Sequence, residues 1–204
     1  MSATEQSFDE AAQGVVAMAR FAGARGWVPA TSGNFSVRID GTRAALTATG
    51  GDKARLEESG VIAVEIEGAA HPRASAEGPL HLVRYAAAPE IGAIAHVHGV
   101  AATVLSRRYL AAGVLRLEGW ELLKAFAGVT THDVALDIPV VANDQDTVRL
   151  AALVETRLRD GAAPGYLIAG HGLYVWGATV KETIRHMEAF DFLLTAQMHE
   201  EGAR

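Results

Sequence analysis

The stretch Tyr166-Leu167-Ile168-Ala169-Gly170-His171-Gly172-Leu173-Tyr174-Val175-Trp176 (YLIAGHGLYVW) reads as two short strands folded back on a tight turn. Tyr166–Ile168 and Tyr174–Trp176 are rich in aromatic and β-branched residues, and Gly170-His171-Gly172 between them supplies the turn. A hairpin of this kind makes an antiparallel pair. A second pair is signalled upstream, where Phe35–Ile39 and Ala44–Ala48 flank Asp40-Gly41. Single strand-like runs occur at Val61–Ile66 and Ile94–His98.

Helical segments separate these strands. Ser7 and Glu10 form a capping-box pattern, followed by Phe8, Ala11, Ala12, Val15, Ala19 and Ala22 at helical spacing, with a stop near Gly23 or Gly26. Leu80–Ala88 is opened by Pro79 at its first turn. Trp120–Ala127 and Thr147–Leu158 read as helices, the second after the polar run Asn143-Asp144-Gln145-Asp146. A last helix starts at Thr179 with Glu182 as capping partner and carries Ile184, Met187, Phe190 and Leu194 on one face. Paired and single strands between helices favour an α/β fold with a mixed sheet covered by helices over a strict βαβ array.

Composition bounds the rest. The chain has 204 residues, half of them hydrophobic and 21% charged, which fits one domain spanning 1–204 with a real core. Repeats, low-complexity tracts and Ser/Pro linkers are absent from the sequence. With no Cys, a disulfide framework, a thiolate metal site and a cysteine nucleophile are excluded. A net charge of -6 argues against nucleic acid as the main partner. No apolar run reaches the ~18 residues of a membrane span, and the first residues, MSATEQSFDEAAQ, lack a signal-peptide pattern, so no membrane and a cytoplasmic location are expected. Neither Gly-x-Gly-x-x-Gly after a strand nor a Walker A motif occurs, so a nucleotide cofactor has no support.

Eight histidines carry the chemistry worth following. His96-Val97-His98 lies in the apolar stretch Ile91–Val100. On a strand, i and i+2 share a face, so the two imidazoles can converge on one cation. The competing reading is a pair on a half-exposed strand. His171, between two glycines, is a third candidate ligand or simply a turn residue. Three histidines with an open fourth position match a catalytic zinc site better than a closed structural one. His71, His81, His132, His186 and His199 are assigned to packing or surface.

Two carboxylates stand out. Glu77 lies in Ser75-Ala76-Glu77-Gly78-Pro79 at a helix entrance, where it serves either the helix dipole or a site. Glu121 lies in Trp120-Glu121-Leu122-Leu123-Lys124, with Glu118 nearby. Two small-residue loops suit an anion: Thr31-Ser32-Gly33-Asn34, and Thr47 to Lys53 with Thr49 and Gly50 at its centre. Ser75 adds a hydroxyl.

Thr31-Ser32-Gly33-Asn34, Thr49-Gly50, Ser75-Ala76-Glu77, His96-Val97-His98 and Gly170-His171-Gly172 occur in an order that resembles the class II aldolase and adducin superfamily over nearly the whole chain. Leu117–Ala125, Asn143–Asp146 and Leu167–Gly177 most resemble its methylthioribulose-1-phosphate dehydratase branch, which belongs to methionine salvage. The resemblance implies a three-layer α/β/α sandwich around a mixed, mostly antiparallel sheet. It implies one Zn2+ per subunit on His96, His98 and His171, and a homotetramer with sites near subunit interfaces. The substrate it implies is a small phosphorylated ketose, bound through Ser32, Gly33, Asn34, Thr49, Gly50 and Ser75. Lys53 joins that set on its charge and place alone. Glu121 is expected to make the proton transfers, with Glu77 as second participant or substrate contact. Gly78-Pro79 departs from the bulkier residues expected after that Glu and predicts a displacement of Glu77. Alternatives on the same scaffold are an aldolase or 4-epimerase on a sugar phosphate such as fuculose or ribulose phosphate. A non-catalytic module like the adducin head is the alternative of another class.

Overall fold

A computed structural model describes residues 6–158 and 163–202. Eight strands form one sheet in the order β3-β2-β1-β4-β8-β7-β6-β5. They are β1 (Asn34–Arg38), β2 (Arg43–Thr47), β3 (Val61–Glu65), β4 (Ala93–Val97), β5 (Val114–Glu118), β6 (Ala135–Val141), β7 (Gly165–Ile168) and β8 (Gly172–Gly177). Every neighbouring pair is antiparallel except β6 and β7, which run parallel. The sheet is therefore mixed and mostly antiparallel.

Strand alternation splits the core into two layers. Val37, Ala95, Val97, Leu173 and Val175 face α1 (Phe8–Ala24), α3 (Val100–Arg108) and α5 (Val180–Gly202), where Val15, Leu105 and Phe190 pack on them. Leu46, Ile94 and Tyr174 face the opposite way, against Leu80 and Tyr85 of α2 (Gly78–Ala87) and Leu150 and Val154 of α4 (Thr147–Leu158). Each such fully buried large side chain contributes roughly 1.5–3 kcal/mol. Helices on both faces make this a three-layer α/β/α sandwich.

The capping box of α1 is present: the Glu10 amide donates to Ser7 Oγ and the Ser7 amide to Glu10 Oε2. The hairpin at Asp40-Gly41 pairs Ser36 with Leu46. Pro79 opens α2, as its fixed φ and missing N–H allow. One expected element differs. Trp120–Ala127 is not an α-helix; only Glu121–Ala125 coils, as a 3-10 turn. Gly119 and Gly128 bracket it with φ of +74° and +80°, which stops propagation at both ends. Helix α3 and strands β5 and β6 lie where no element was expected.

Among the described residues, no helix is long and apolar enough to cross a membrane.

Candidate active site

Three adjacent strands build the site by register. Asn34 of β1 pairs with His96 of β4, which pairs with Tyr174 of β8. These three form a row across the sheet on its α2 face. Tyr174 stacks on the His96 ring at 4.2 Å between centroids and on Tyr166 at 4.9 Å. The row ends under the entrance to α2, where Glu77 sits at the cap position.

His98, two residues past His96, turns its ring to the same side, with centroids 4.5 Å apart. The His98 amide donates to Trp27 O, which fixes the end of the strand. His171 arrives from the β7–β8 turn, whose Gly170 takes φ +67°, a conformation open to glycine. Helix α3 clamps that turn: the Gly170 amide donates to Ser106 Oγ and Thr103 Oγ1 donates to His171 O. As a result the His96 and His171 Nε2 atoms lie 3.2 Å apart, and ligand atoms of His96, His98 and His171 all lie within 4.8 Å of one another. The structure thus brings together the three rings that the sequence scatters.

His96 is fully buried, and burial pushes its protonation down to about 3. Its Nδ1 donates to Leu173 O at 3.1 Å, so the neutral ring leaves the Nε2 lone pair free toward the cluster. Burial and the nearby His171 also lower His98. Buried His171 Nδ1 has no hydrogen-bond partner among the described residues. A tetrahedral ion with N bonds of ~2.0–2.1 Å holds its donor nitrogens about 3.3 Å apart, close to the 3.2 Å between the His96 and His171 Nε2 atoms. The donor set and its spacing fit a divalent metal ion.

Glu77 completes the cluster despite Gly78-Pro79. Those two residues start α2 and leave the Glu77 side chain directed at the histidines, with Oε1 3.0 Å from His171 Nε2 and Oε2 3.6 Å from His96 Nε2. Burial alone would raise its pKa. The His171 contact and the Asn34 amide, which donates to Oε2 at 2.5 Å, outweigh that and hold it below the usual carboxylate range.

Glu121 is placed elsewhere. Its side chain is 73% exposed on the 3-10 turn, bonded to Lys124 Nζ at 2.6 Å, with His132 at 3.8 Å. It borders an open surface groove with Arg25, Arg185 and Phe192.

The expected anion loops are tied to the site at separate points. A β-bridge between Ala48 and Ala74 ties the Thr49-Gly50 loop to the segment carrying Ser75. Ser75 Oγ accepts from the Glu77 amide at 3.3 Å. Ser32 Oγ is buried without a partner among the described residues. Gly33, at φ +81°, passes so close to His96 O that a Cβ would sit 2.8 Å from it. Two of the expected residues are bonded within the chain. Asn34 commits both ends of its amide, donating to Glu77 and accepting from His81. Lys53 is buried, and its ammonium donates to Gly51 O at 2.7 Å. His81, assigned to packing, is bonded into the site through Asn34. Single-residue patterns carry no sign of Ser36, Tyr85, Thr103 or Ser106, because their roles depend on partners far away in the chain.

Comparison with known proteins agrees with this architecture. The model of the Class II Aldolase and Adducin N-terminal domain matches residues 13–198. A methylthioribulose-1-phosphate dehydratase of Parvibaculum lavamentivorans is 75% identical over 198 residues, 97% of each chain. One from Xanthomonas campestris pv. campestris is 49% identical over 192 residues, 93% of this chain and 88% of that one. Among solved structures, L-fuculose-1-phosphate aldolase from Thermus thermophilus superimposes with a TM-score of 0.78 at 24% identity, covering 96% of this chain and 97% of that one, a likeness of fold. The matched domain and the two relatives show that this chain belongs to the class II aldolase and adducin family.

Proposed function

We propose that this chain dehydrates 5-methylthioribulose 1-phosphate to 2,3-diketo-5-methylthiopentyl 1-phosphate, a cytoplasmic step of methionine salvage. The observation that carries the reading is the meeting of His96, His98, His171 and Glu77 in a chain 75% identical to a protein named for that activity. The three histidines would hold one zinc ion. When bound, the ion supplies a Lewis acid that stabilises negative charge developing on the ketose oxygens.

Chain residues do the rest. Glu77, ionised beside the cluster, takes the C3 proton of the ketose. The C4–O bond then breaks as a proton is delivered to that oxygen, releasing water and leaving a C3=C4 enol, which takes up a proton at C4 and gives up its C3 hydroxyl proton to become the second ketone. Glu121 is assigned that second proton transfer. Its side chain is 73% exposed, and in this reading it would serve the histidine cluster of a neighbouring copy in a homotetramer. The phosphate is assigned to the Ser32-Gly33 and Thr49-Gly50 loops with Ser75, where the buried Ser32 hydroxyl has no partner among the described residues. Remote binding of the phosphate orients C3 and C4 over the reacting groups.

The direct test is product identification. Purified protein given the methylthio ketose phosphate should release a diketone phosphate and water. An aldehyde with a three-carbon phosphate would instead mark carbon–carbon cleavage and overturn the reading.

A further inference from the structure

Behind Glu77 lies a buried line of hydrogen bonds that the proposed chemistry does not use directly. It runs from Tyr85 to Ser36 at 2.9 Å, from Ser36 to His81 Nδ1 at 2.7 Å, from His81 Nε2 to Asn34 Oδ1 at 2.5 Å, and from Asn34 Nδ2 to Glu77. Asn34, Ser36, His81 and Tyr85 are all buried. Ser36 and Asn34 project from the same face of β1, whereas His81 and Tyr85 lie one helical turn apart on α2.

The direction of this line is set at its outer end. The ionised Glu77 carboxylate can only accept, so Asn34 turns its NH2 toward Glu77 and its Oδ1 toward His81. An amide oxygen accepts, so His81 carries its hydrogen on Nε2 and donates it to Asn34 Oδ1. The neutral ring then accepts at Nδ1 from Ser36 O–H, and Ser36 in turn accepts from Tyr85 O–H. Complete burial, with only the Glu77 charge opposing it, pushes His81 protonation down to about 4, so the ring is neutral near pH 7. A reversed Asn34 would set an oxygen against the carboxylate.

We propose that His81 is a positioning residue: held as the Nε2–H tautomer by Ser36 and Tyr85, it fixes the Asn34 amide so that its NH2 holds Glu77 at the histidine cluster. The proposal rests on Glu77 as the proton-transferring carboxylate. Arg38 braces the inner end, lying over the Tyr85 ring and bonding Tyr85 O, Ala88 O and Ile91 O. Partners that orient a functional group typically matter by about 10- to 100-fold in activity.

The test pairs kinetics with spectroscopy. His81→Leu should lower kcat about 10- to 100-fold, with KM and bound metal essentially unchanged. His81→Gln, whose amide N–H reaches toward Asn34, should recover most of that loss. Wild-type kcat in a folded His81→Leu protein overturns the proposal, as does a folded His81→Gln protein as impaired as His81→Leu. Should His81→Leu not fold, Ser36→Ala replaces it, with a smaller fall in kcat expected and wild-type kcat counting against the proposal. Imidazole 15N NMR of the wild-type protein at pH 7 should show His81 neutral with hydrogen on Nε2. An Nδ1–H tautomer or a cationic ring overturns the positioning role whatever the activity. Absence of turnover on the ketose phosphate would sink the functional reading alone, because the NMR result stands independently of it.

Discussion

The Glu77 carboxylate lies 3.0 Å from Nε2 of His171, although one residue sits at a helix entrance and the other on a strand turn far along the chain. That contact puts an ionised carboxylate, the proposed base, at the ring cluster. Glu77→Gln keeps the size and the contact but removes the base. Its expected effect is a kcat lowered by about 10²–10⁴-fold with KM little changed and metal retained. Steady-state kinetics on protein of verified metal content checks this, and wild-type kcat would remove Glu77 from the mechanism.

Gly33 and Gly50 separate strain from collision. Both take positive φ, +81° and +80°, but a Cβ on Gly33 meets His96 O and Val28 Cγ1 at 2.8 Å, whereas one on Gly50 meets nothing within 4 Å. Each alanine variant carries a backbone cost of about 1–3 kcal/mol. Gly33→Ala adds the collision, so its melting temperature should fall further than that of Gly50→Ala, by roughly 2–4 °C for each additional kcal/mol. Calorimetry of the two variants side by side measures the difference. Equal shifts would mean that the Gly33 loop relaxes away from His96.

Acid should destabilise the chelator-treated protein. Burial lowers His81 protonation to about 4 and His96 to about 3, against 6.5 in the unfolded chain. Unfolding at pH 5 therefore takes up protons, and stability falls as pH drops from 6.5 toward 4. Glu77 acts with the same sign at lower pH: its folded value lies below the unfolded one, so the stability it contributes is lost as the carboxylate protonates. For His81 alone the loss is on the order of 3 kcal/mol. Urea midpoints at pH 7.5 and pH 5 test this, and a midpoint unchanged or higher at pH 5 would contradict it.

The proposed action of Glu121 across a subunit boundary predicts that two inactive variants complement each other. Co-expressed Glu121→Gln and His96→Ala chains should form mixed tetramers in which one subunit supplies the carboxylate and another the intact histidines. Activity clearly above that of either variant alone is expected. No recovery in verified mixed tetramers would count against action in trans.

The parts of this architecture legible in the sequence are those carried by local patterns. The Ser7–Glu10 cap, the Asp40-Gly41 hairpin and the glycines around His171 each state their structure within a few residues. Alternation put His96 and His98 on one side, the flanking glycines made His171 a third candidate, and the resemblance to a family favoured the ligand reading over a plain turn residue. Other elements were hidden by mixed signals. Strand β6 contains Pro139, which argues against a strand, yet it is tolerated with Pro139 opposite Val114 of β5. Helix α3 begins directly after the metal-type histidines, so its apolar residues merge with the strand before it. The Glu121 segment has helical composition but is confined to five residues between two glycine turns. The Asn34–His81 bond joins β1 to α2 across 47 positions, and no local pattern reports such a pairing.

Metal content measures the centre of the account most directly. Wild-type protein and His171→Ala, both purified without chelator, are compared by elemental analysis. About one divalent ion per wild-type chain, with little or none in the variant, is the predicted result. A wild-type chain without metal, or a variant that binds as much as the wild type, would contradict the role given to the three imidazoles.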